Sequence, residues 1–267
     1  MEPMINIALQ AARSAGDLIV RAASKRERIK IDEKTQNDFV TEVDRAAERE
    51  IIYHLRKAYP DHCMLCEESG QHEGPDTDSV WIIDPLDGTT NFIRGIPHYA
   101  ISIAFRHRDR LEHAVIYDPV KQEEFTASRG RGALLNMHRI RVSDRIETDG
   151  ALYATGIPFS GKPYENMSPY LESMAKLADK SSGIRRMGVA SLDLAYVAAG
   201  RVDAFWEMYL KPWDIAAGVL LVMEAGGRVA DFQGGDQFMK SGHIVAATPR
   251  LLKPTLQTVA RHLGHLA

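Results

Sequence analysis

The chain has 267 residues, 45% of them hydrophobic, enough for a large core in one domain or two closely packed halves. Its 33 basic and 36 acidic residues give a formal net charge of −3, which argues against a dedicated nucleic-acid binder; no direct DNA binding is expected. No apolar run approaches the ~20 residues of a membrane helix, and MEPMINIALQAARSAGDLIV carries Glu2, Arg13 and Asp17 where a secretory leader would be apolar, so a cytoplasmic protein without membrane association is expected.

Apolar residues at 4, 5, 8, 9, 12, 15, 18 and 19 predict an amphipathic helix from 3 to about 23. KIDEKTQNDF is polar and unpatterned, and reads as a loop or hairpin. EVDRAAEREIIYHLRKAY predicts a second helix over 42–59, with apolar positions at 43, 47, 51, 55 and 58 and Pro60 beyond its end. MLC at 64–66 and SVWII at 79–83 are short strands. Cys63 and Cys66 form a C-x-x-C, but no second pair exists to complete a zinc site. On a strand, residues three apart face opposite sides, so two separate core-lining thiols are expected.

YAISIAFRHRDRLEHAVIYDP reads as a hairpin turning near Asp109, and QEEFTASRGRGALLN with HRIRVS extends an antiparallel meander. The final third interleaves strands (GALYATG, GIRRM, VDAFWEM, GRVADF, HIVAAT) with helices (PYLESMAKLADK, SLDLAYVAAG, DIAAGVLLVMEAGG and about 249–263). This pattern predicts an α/β layered sandwich. We expect one domain over 1–267, built from two packed halves of approximately 1–147 and 148–267.

Four acidic features fall at element ends: Asp44 in TEVD, Glu67 and Glu68 after MLC, Asp84 and Asp87 after WII, and Asp214 after Trp213. If they converge, they make a hard-cation site suited to Mg²⁺, which takes carboxylate oxygen and shares substrate phosphate. Some also have a structural reading. TEVD fits a capping box with Thr41 as N-cap, and Asp214 fits a first-turn acid opposing a helix dipole. The pair in WIIDPLDGTTNF is harder to assign to structure alone, because a second carboxylate beside a desolvated one adds repulsion. Gly88 permits close backbone approach, and Gly-Thr-Thr can open a helix whose free N–H groups accept phosphate.

DPLDGTTNF closely resembles the D-P-[LI]-D-G-T-T-N-F signature of inositol monophosphatases. WDIAAGVLLVMEAGG resembles their C-terminal signature, CEES their acidic segment, and NDFVTEVD their N-terminal segment. These matches run in order along nearly the whole chain. MEPMINIALQAARSAG and RMGVASLDLAYVAAGRVDAFWE are similar to the bacterial SuhB-type subgroup.

The resemblance implies an αβαβα sandwich, commonly dimeric and lithium-sensitive, that hydrolyses inositol 1-phosphate with roughly two or three Mg²⁺ ions per site. It assigns metal binding to Glu67, Asp84, Asp87, Asp214 and the Leu86 carbonyl. Glu67, Thr89 and Asp44 become the catalytic residues, with Thr89 and Asp44 orienting the attacking water. Substrate contacts fall to Asp87, Gly88, Thr89, Asp214 and Glu207, to the segment Gly188, Val189 and Ala190, and to Arg185, with Arg186 as the lesser candidate.

Two departures stand out: Cys66 where the family has Gly or Thr, and Val189 where it has Ser or Thr. Another small phosphate ester (a sugar bisphosphate such as fructose 1,6-bisphosphate, histidinol phosphate or a 3′-phosphonucleotide) is the alternative substrate. The SuhB-type resemblance also implies antitermination of ribosomal RNA transcription with the Nus factors, NusA among them, and RNA polymerase. The arginines at 129, 131, 139, 141 and 145 read either as solvated charges on the meander or as part of a partner surface.

Overall fold

Helices α1 (Pro3–Ala23) and α2 (Glu42–Ala58) form where the helical period places them, and their apolar stripes pack together. A computed structural model describes residues 2–25, 31–35, 38–157 and 164–266 of the chain. Between the helices, β1 (Ile31–Thr35) and β2 (Asp38–Thr41) pair antiparallel, so the polar stretch is a hairpin; residues 36 and 37 lie outside the described set.

The next strands build one sheet: β3 (His62–Cys66), β4 (Gly70–His72), β5 (Asp76–Asp87), β6 (Ala100–His107), β7 (Arg110–Asp118), β8 (Glu123–Ser128), β9 (Gly132–Leu135) and β10 (His138–Ile140). Their order is β10-β9-β8-β7-β6-β5-β3-β4. Only β3 and β5 run parallel; the other pairs are antiparallel. The β6–β7 hairpin turns at Arg108 and Asp109, both at positive φ (47° and 62°), the twist a two-residue hairpin prefers. A short helix, α3 (Thr89–Arg94), follows β5.

The remaining chain gives β11 (Leu152–Thr155), α4 (Met167–Ala178), β12 (Gly183–Arg185), α5 (Ala190–Ala198), β13 (Ala204–Glu207), α6 (Pro212–Glu224), β14 (Arg228–Ala230), α7 (Phe238–Ser241), β15 (Ile244–Ala247) and α8 (Leu252–Leu263). Its sheet has the order β12-β11-β13-β15-β14. The short elements β4 and α7 carry too little pattern to be read from sequence.

Alternation on the strands sets the layers. Trp81 and Ile83 face α1 and α2, whereas Val80 and Ile82 face α5 and α6. In the second sheet Phe205 points to α5 and α6, while Ala204 and Trp206 point to α4 and α8. The result is an αβαβα sandwich with α5 and α6 between the two sheets. All nine residues of α5 are buried, as a helix covered on both sides requires. Cys63 and Cys66 are both free and buried, and they join opposite apolar layers as a strand dictates. Burial pushes the Cys66 thiol up to about 12, which leaves little reactive thiolate.

The middle layer has one tight crossing. A side chain at Gly218 of α6 would meet Leu194 of α5 at 2.5 Å. Gly218→Val should therefore lower the unfolding free energy by roughly 1–3 kcal/mol through overpacking. Urea unfolding of the two proteins measures the difference.

Candidate active site

The position of the acids follows from one irregularity. Strand β5 does not end at Ile83, where the apolar run stops, but continues to Asp87. Asp84 lies opposite Ser102 and Asp87 opposite Ala100, with a register shift between them. Three steps on β5 thus match two on β6, a bulge containing Pro85 and Leu86. On a regular strand, residues 84 and 87 would face opposite sides. The extra residue returns Asp87 to the face of Asp84, which is the α5–α6 side.

Neighbouring elements end at the same place. Glu67 follows β3, the parallel neighbour of β5, and its N–H donates to the Ile83 carbonyl at 3.1 Å. Asp214 lies in the first turn of α6, and its Oδ2 accepts the Lys211 N–H at 2.7 Å. Ser102 Oγ donates to the Trp213 carbonyl at 3.2 Å, tying the start of α6 to the sheet. The Ser191 N–H, at the start of α5, donates to Asp87 Oδ2 at 2.8 Å. Asp84 Oδ1 accepts the Leu86 N–H at 3.0 Å inside the bulge.

Asp44 belongs to this group and also caps its helix. Its Oδ2 accepts the Thr41 N–H at 2.9 Å, completing the capping box expected from TEVD, while Oδ1 accepts the Thr89 hydroxyl at 2.8 Å. The Thr89 hydroxyl also lies 3.1 Å from the Leu86 carbonyl. Gly88 caps α3 at φ 96°, and a Cβ there would meet Val189 Cγ2 at 2.8 Å. Val189 itself is buried in the middle layer.

The electrostatics are those of uncompensated acids. Burial, then the charges of Glu67, Asp87 and Asp214, hold the Asp84 carboxyl well above the usual carboxylate range. Burial pushes Asp87 up to about 6, against the hydrogen bond from the Ser191 N–H. Asp214 is raised by burial and then by Asp87. Glu207, at the end of β13, is pushed up to about 8 by burial and Asp87, with Arg186 pulling back. The Glu207 carboxyl occupies the space a side chain at Gly156 would need.

Among the described residues, no three His, Cys, Asp or Glu side chains close into a ready ion cage. The fit to a metal therefore rests on donor chemistry: mutually repelling carboxylates at Glu67, Asp84, Asp87 and Asp214, which suit a hard divalent cation.

Of the two arginines, the structure brings Arg186 to this wall: its charge reaches Glu207 and Asp193, whereas the Arg185 guanidinium turns toward Gly183 and the Ile184 carbonyl. The sequence reading favoured Arg185; the three-residue strand β12 ends there, and Arg186 begins the turn into the site. Two residues went unnoticed in the sequence. Ser191 acts through its backbone, which no side-chain motif reveals. Asp193 carried a signal, as a lone acid in the apolar run ASLDLAYVA.

The layered αβαβα sandwich is the fold of solved inositol monophosphatases. The chain matches the inositol monophosphatase family over residues 1–264 and belongs to it; it is a phosphatase of that fold. It is similar to the Nus factor SuhB of Pseudomonas aeruginosa, with 57% identity over 265 residues covering 98% of each chain. The crystal structure of the suhB extragenic suppressor protein from Bartonella henselae superposes with a TM-score of 0.95 at 41% identity, covering 98% of this chain and 100% of that one. The Thermotoga maritima IMPase gives 0.88 at 32% identity over 100% of both chains. Among the described residues, no helix is long and apolar enough to cross a membrane.

Raised carboxylates make stability pH-dependent with a definite sign. A group with a raised folded pKa binds more protons folded than unfolded, so stability falls as pH rises. For Asp87 and Glu207 the window runs from unfolded values near ~4 to about 6 and about 8. In chelator, the protein should lose stability steadily between pH 5 and 8. Excess Mg²⁺ should flatten that slope, which thermal melts across the range would detect.

Proposed function

We propose that this chain is a Mg²⁺-dependent phosphatase that hydrolyses inositol 1-phosphate to inositol and inorganic phosphate. The observation that carries the reading is the convergence of acids around Asp84 beside the hydrogen-bonded pair Thr89–Asp44. Glu67, Asp84, Asp87, Asp214 and the Leu86 carbonyl would hold the cations. A divalent cation bound there would acidify water and stabilise the leaving oxygen.

The protein's own groups complete the reaction. Because the Thr89 hydroxyl donates to Asp44, its oxygen remains an acceptor and can fix the attacking water. Water adds to phosphorus as the bond to the alcohol oxygen breaks; the water gives up a proton to solvent, and the leaving alkoxide takes one from solvent in return. The turn at Gly88 and Thr89 offers N–H groups to the phosphate. Glu207 and Arg186, with the backbone of Gly188 to Ala190, face the alcohol. No side chain needs to become phosphorylated. We further read the protein as a cytoplasmic homodimer.

A second role is favoured by one observation: the relatives at 57% and 52% identity are named Nus factor SuhB. We read the chain as joining an antitermination complex with NusA and RNA polymerase. The arginines of the meander are not what supports this. Arg129 donates to the Leu111 carbonyl, Arg131 pairs with Glu2, and Arg139 donates to the Arg131 carbonyl.

Phosphate release from inositol 1-phosphate, titrated with Mg²⁺ with and without lithium, tests the enzyme. Asp84→Ala, Asp87→Asn and Asp214→Asn should each lose turnover ~100-fold or more while staying folded. Retained turnover in any of them counts against the assignment. A tenfold preference for fructose 1,6-bisphosphate, histidinol phosphate or a 3′-phosphonucleotide, about 1.4 kcal/mol, would replace the inositol ester as substrate. For the second role, Asp87→Asn should abolish phosphate release yet leave ribosomal RNA transcription normal. Failure of the purified protein to bind NusA or polymerase removes that role.

A further inference from the structure

Near Glu207, at the alcohol end of the proposed site, lies an acid that the proposed reaction does not use. Asp193 stands in the first turn of α5 and is 1% exposed. Neither of its carboxyl oxygens has a hydrogen-bond partner among the described residues. Buried polar groups are almost always paired, and a buried carboxyl left without partners is costly. The rest of α5 is largely apolar, and packing alone would favour an aliphatic side chain at this position.

The surroundings indicate what the acid serves. The charges that reach Asp193 are those of Glu207, Asp87 and Arg186, and burial holds it well above the usual carboxylate range. Glu207 feels Asp87 and Arg186 in turn. Tyr170, at the same wall, is already engaged: its hydroxyl bonds Thr155 Oγ1 at 2.6 Å and the Trp206 carbonyl at 3.2 Å. The unpartnered oxygens, with Glu207 and Arg186 acting on them, supply the polar partners that ordered water needs.

We propose that Asp193 is a positioning residue: through ordered water on its carboxyl oxygens it holds Arg186 and Glu207 in the orientation that meets the hydroxyl groups of a polyol phosphate. The inference rests on the reading of Glu207 as a contact to the alcohol. Without Asp193, Arg186 faces Glu207 alone and draws that carboxyl into an ion pair, away from the substrate hydroxyls. The phosphate end keeps its hydrogen bond, because Ser191 still donates its N–H to Asp87.

The test compares inositol 1-phosphate with p-nitrophenyl phosphate, whose alcohol has no further hydroxyl to position. Asp193→Asn should raise KM for inositol 1-phosphate about tenfold with kcat within about twofold, a loss of ground-state and transition-state binding alike. The constants for p-nitrophenyl phosphate should not move. In a Glu207→Gln background, Asp193→Asn should add nothing further. Equal losses on both esters, additive losses in the cycle, or no change at all would overturn the proposal.

A crystal structure of the wild-type protein supplies a readout independent of substrate. Water on the Asp193 oxygens linked to Arg186 or Glu207 is expected; dry oxygens with Arg186 turned away would overturn the inference. If the enzyme cleaves p-nitrophenyl phosphate but no polyol ester, the proposed substrate class falls, and the crystallographic result alone decides the role of Asp193.

Discussion

The constraint on which the site depends is the mutual repulsion of its carboxylates. Asp84 is buried to 1% exposure with Glu67, Asp87 and Asp214 acting on it, an arrangement no fold adopts for stability. It persists because backbone N–H groups fix three of the acids. Leu86 N–H holds Asp84, Ser191 N–H holds Asp87, and Lys211 N–H holds Asp214. Each donor is a local feature, a bulge or a helix start, so the surrounding sandwich bears the strain. The bulge is the decisive element. Were the same residues paired regularly, with no bulge between Asp84 and Asp87, the second acid would point toward α1 and α2, and the cluster would lose a member.

The layering explains why the acids meet in the middle. Ligands of open α/β sheets gather beyond the carboxyl ends of parallel strands. Only β3 and β5 of the large sheet are parallel, and they end in Glu67 and in Asp84 to Asp87. The helices between the sheets bring their N-termini to the same edge, supplying the Ser191 amide and Asp214. Helix α2, from the outer layer, contributes Asp44. Its capping box uses one oxygen to start the helix and leaves the other for Thr89, so a single side chain secures both the helix and the site. The structural reading of TEVD is therefore borne out, and the same side chain also reaches Thr89.

Much of this was legible in the sequence because the signals were local. Periods of 3.6 and 2 located the long helices and the meander, and the opposed faces of Cys63 and Cys66 followed from strand geometry alone. The family signatures pointed to the acids, since D-P-L-D-G-T-T is a contiguous piece of the site. What escaped depended on register or on contacts distant in sequence. The apolar run suggested that β5 stops at Ile83, because nothing in DPLD reveals that β6 continues to pair beside it. The choice between Arg185 and Arg186 turns on where a three-residue strand ends, a matter of a single residue.

The same distinction separates the two ends of the site. On the proposed reading, the phosphate end centres on the short segment DPLDGTT, with glycine at φ 96°, a hydroxyl within reach of Asp44 and acids on a bulge. On the proposed reading, the alcohol end is assembled from side chains just after β12, on α5 and on β13, where the second sheet sets β12 and β13 on either side of β11. Val189 shows the consequence. Its side chain fills space above Gly88 within the core, so replacing a hydroxyl there changes packing in the middle layer and leaves the acids where they are. On the proposed reading, Arg186, Glu207 and their neighbours would choose the ester, while the bulge and the helix starts would hold the cations.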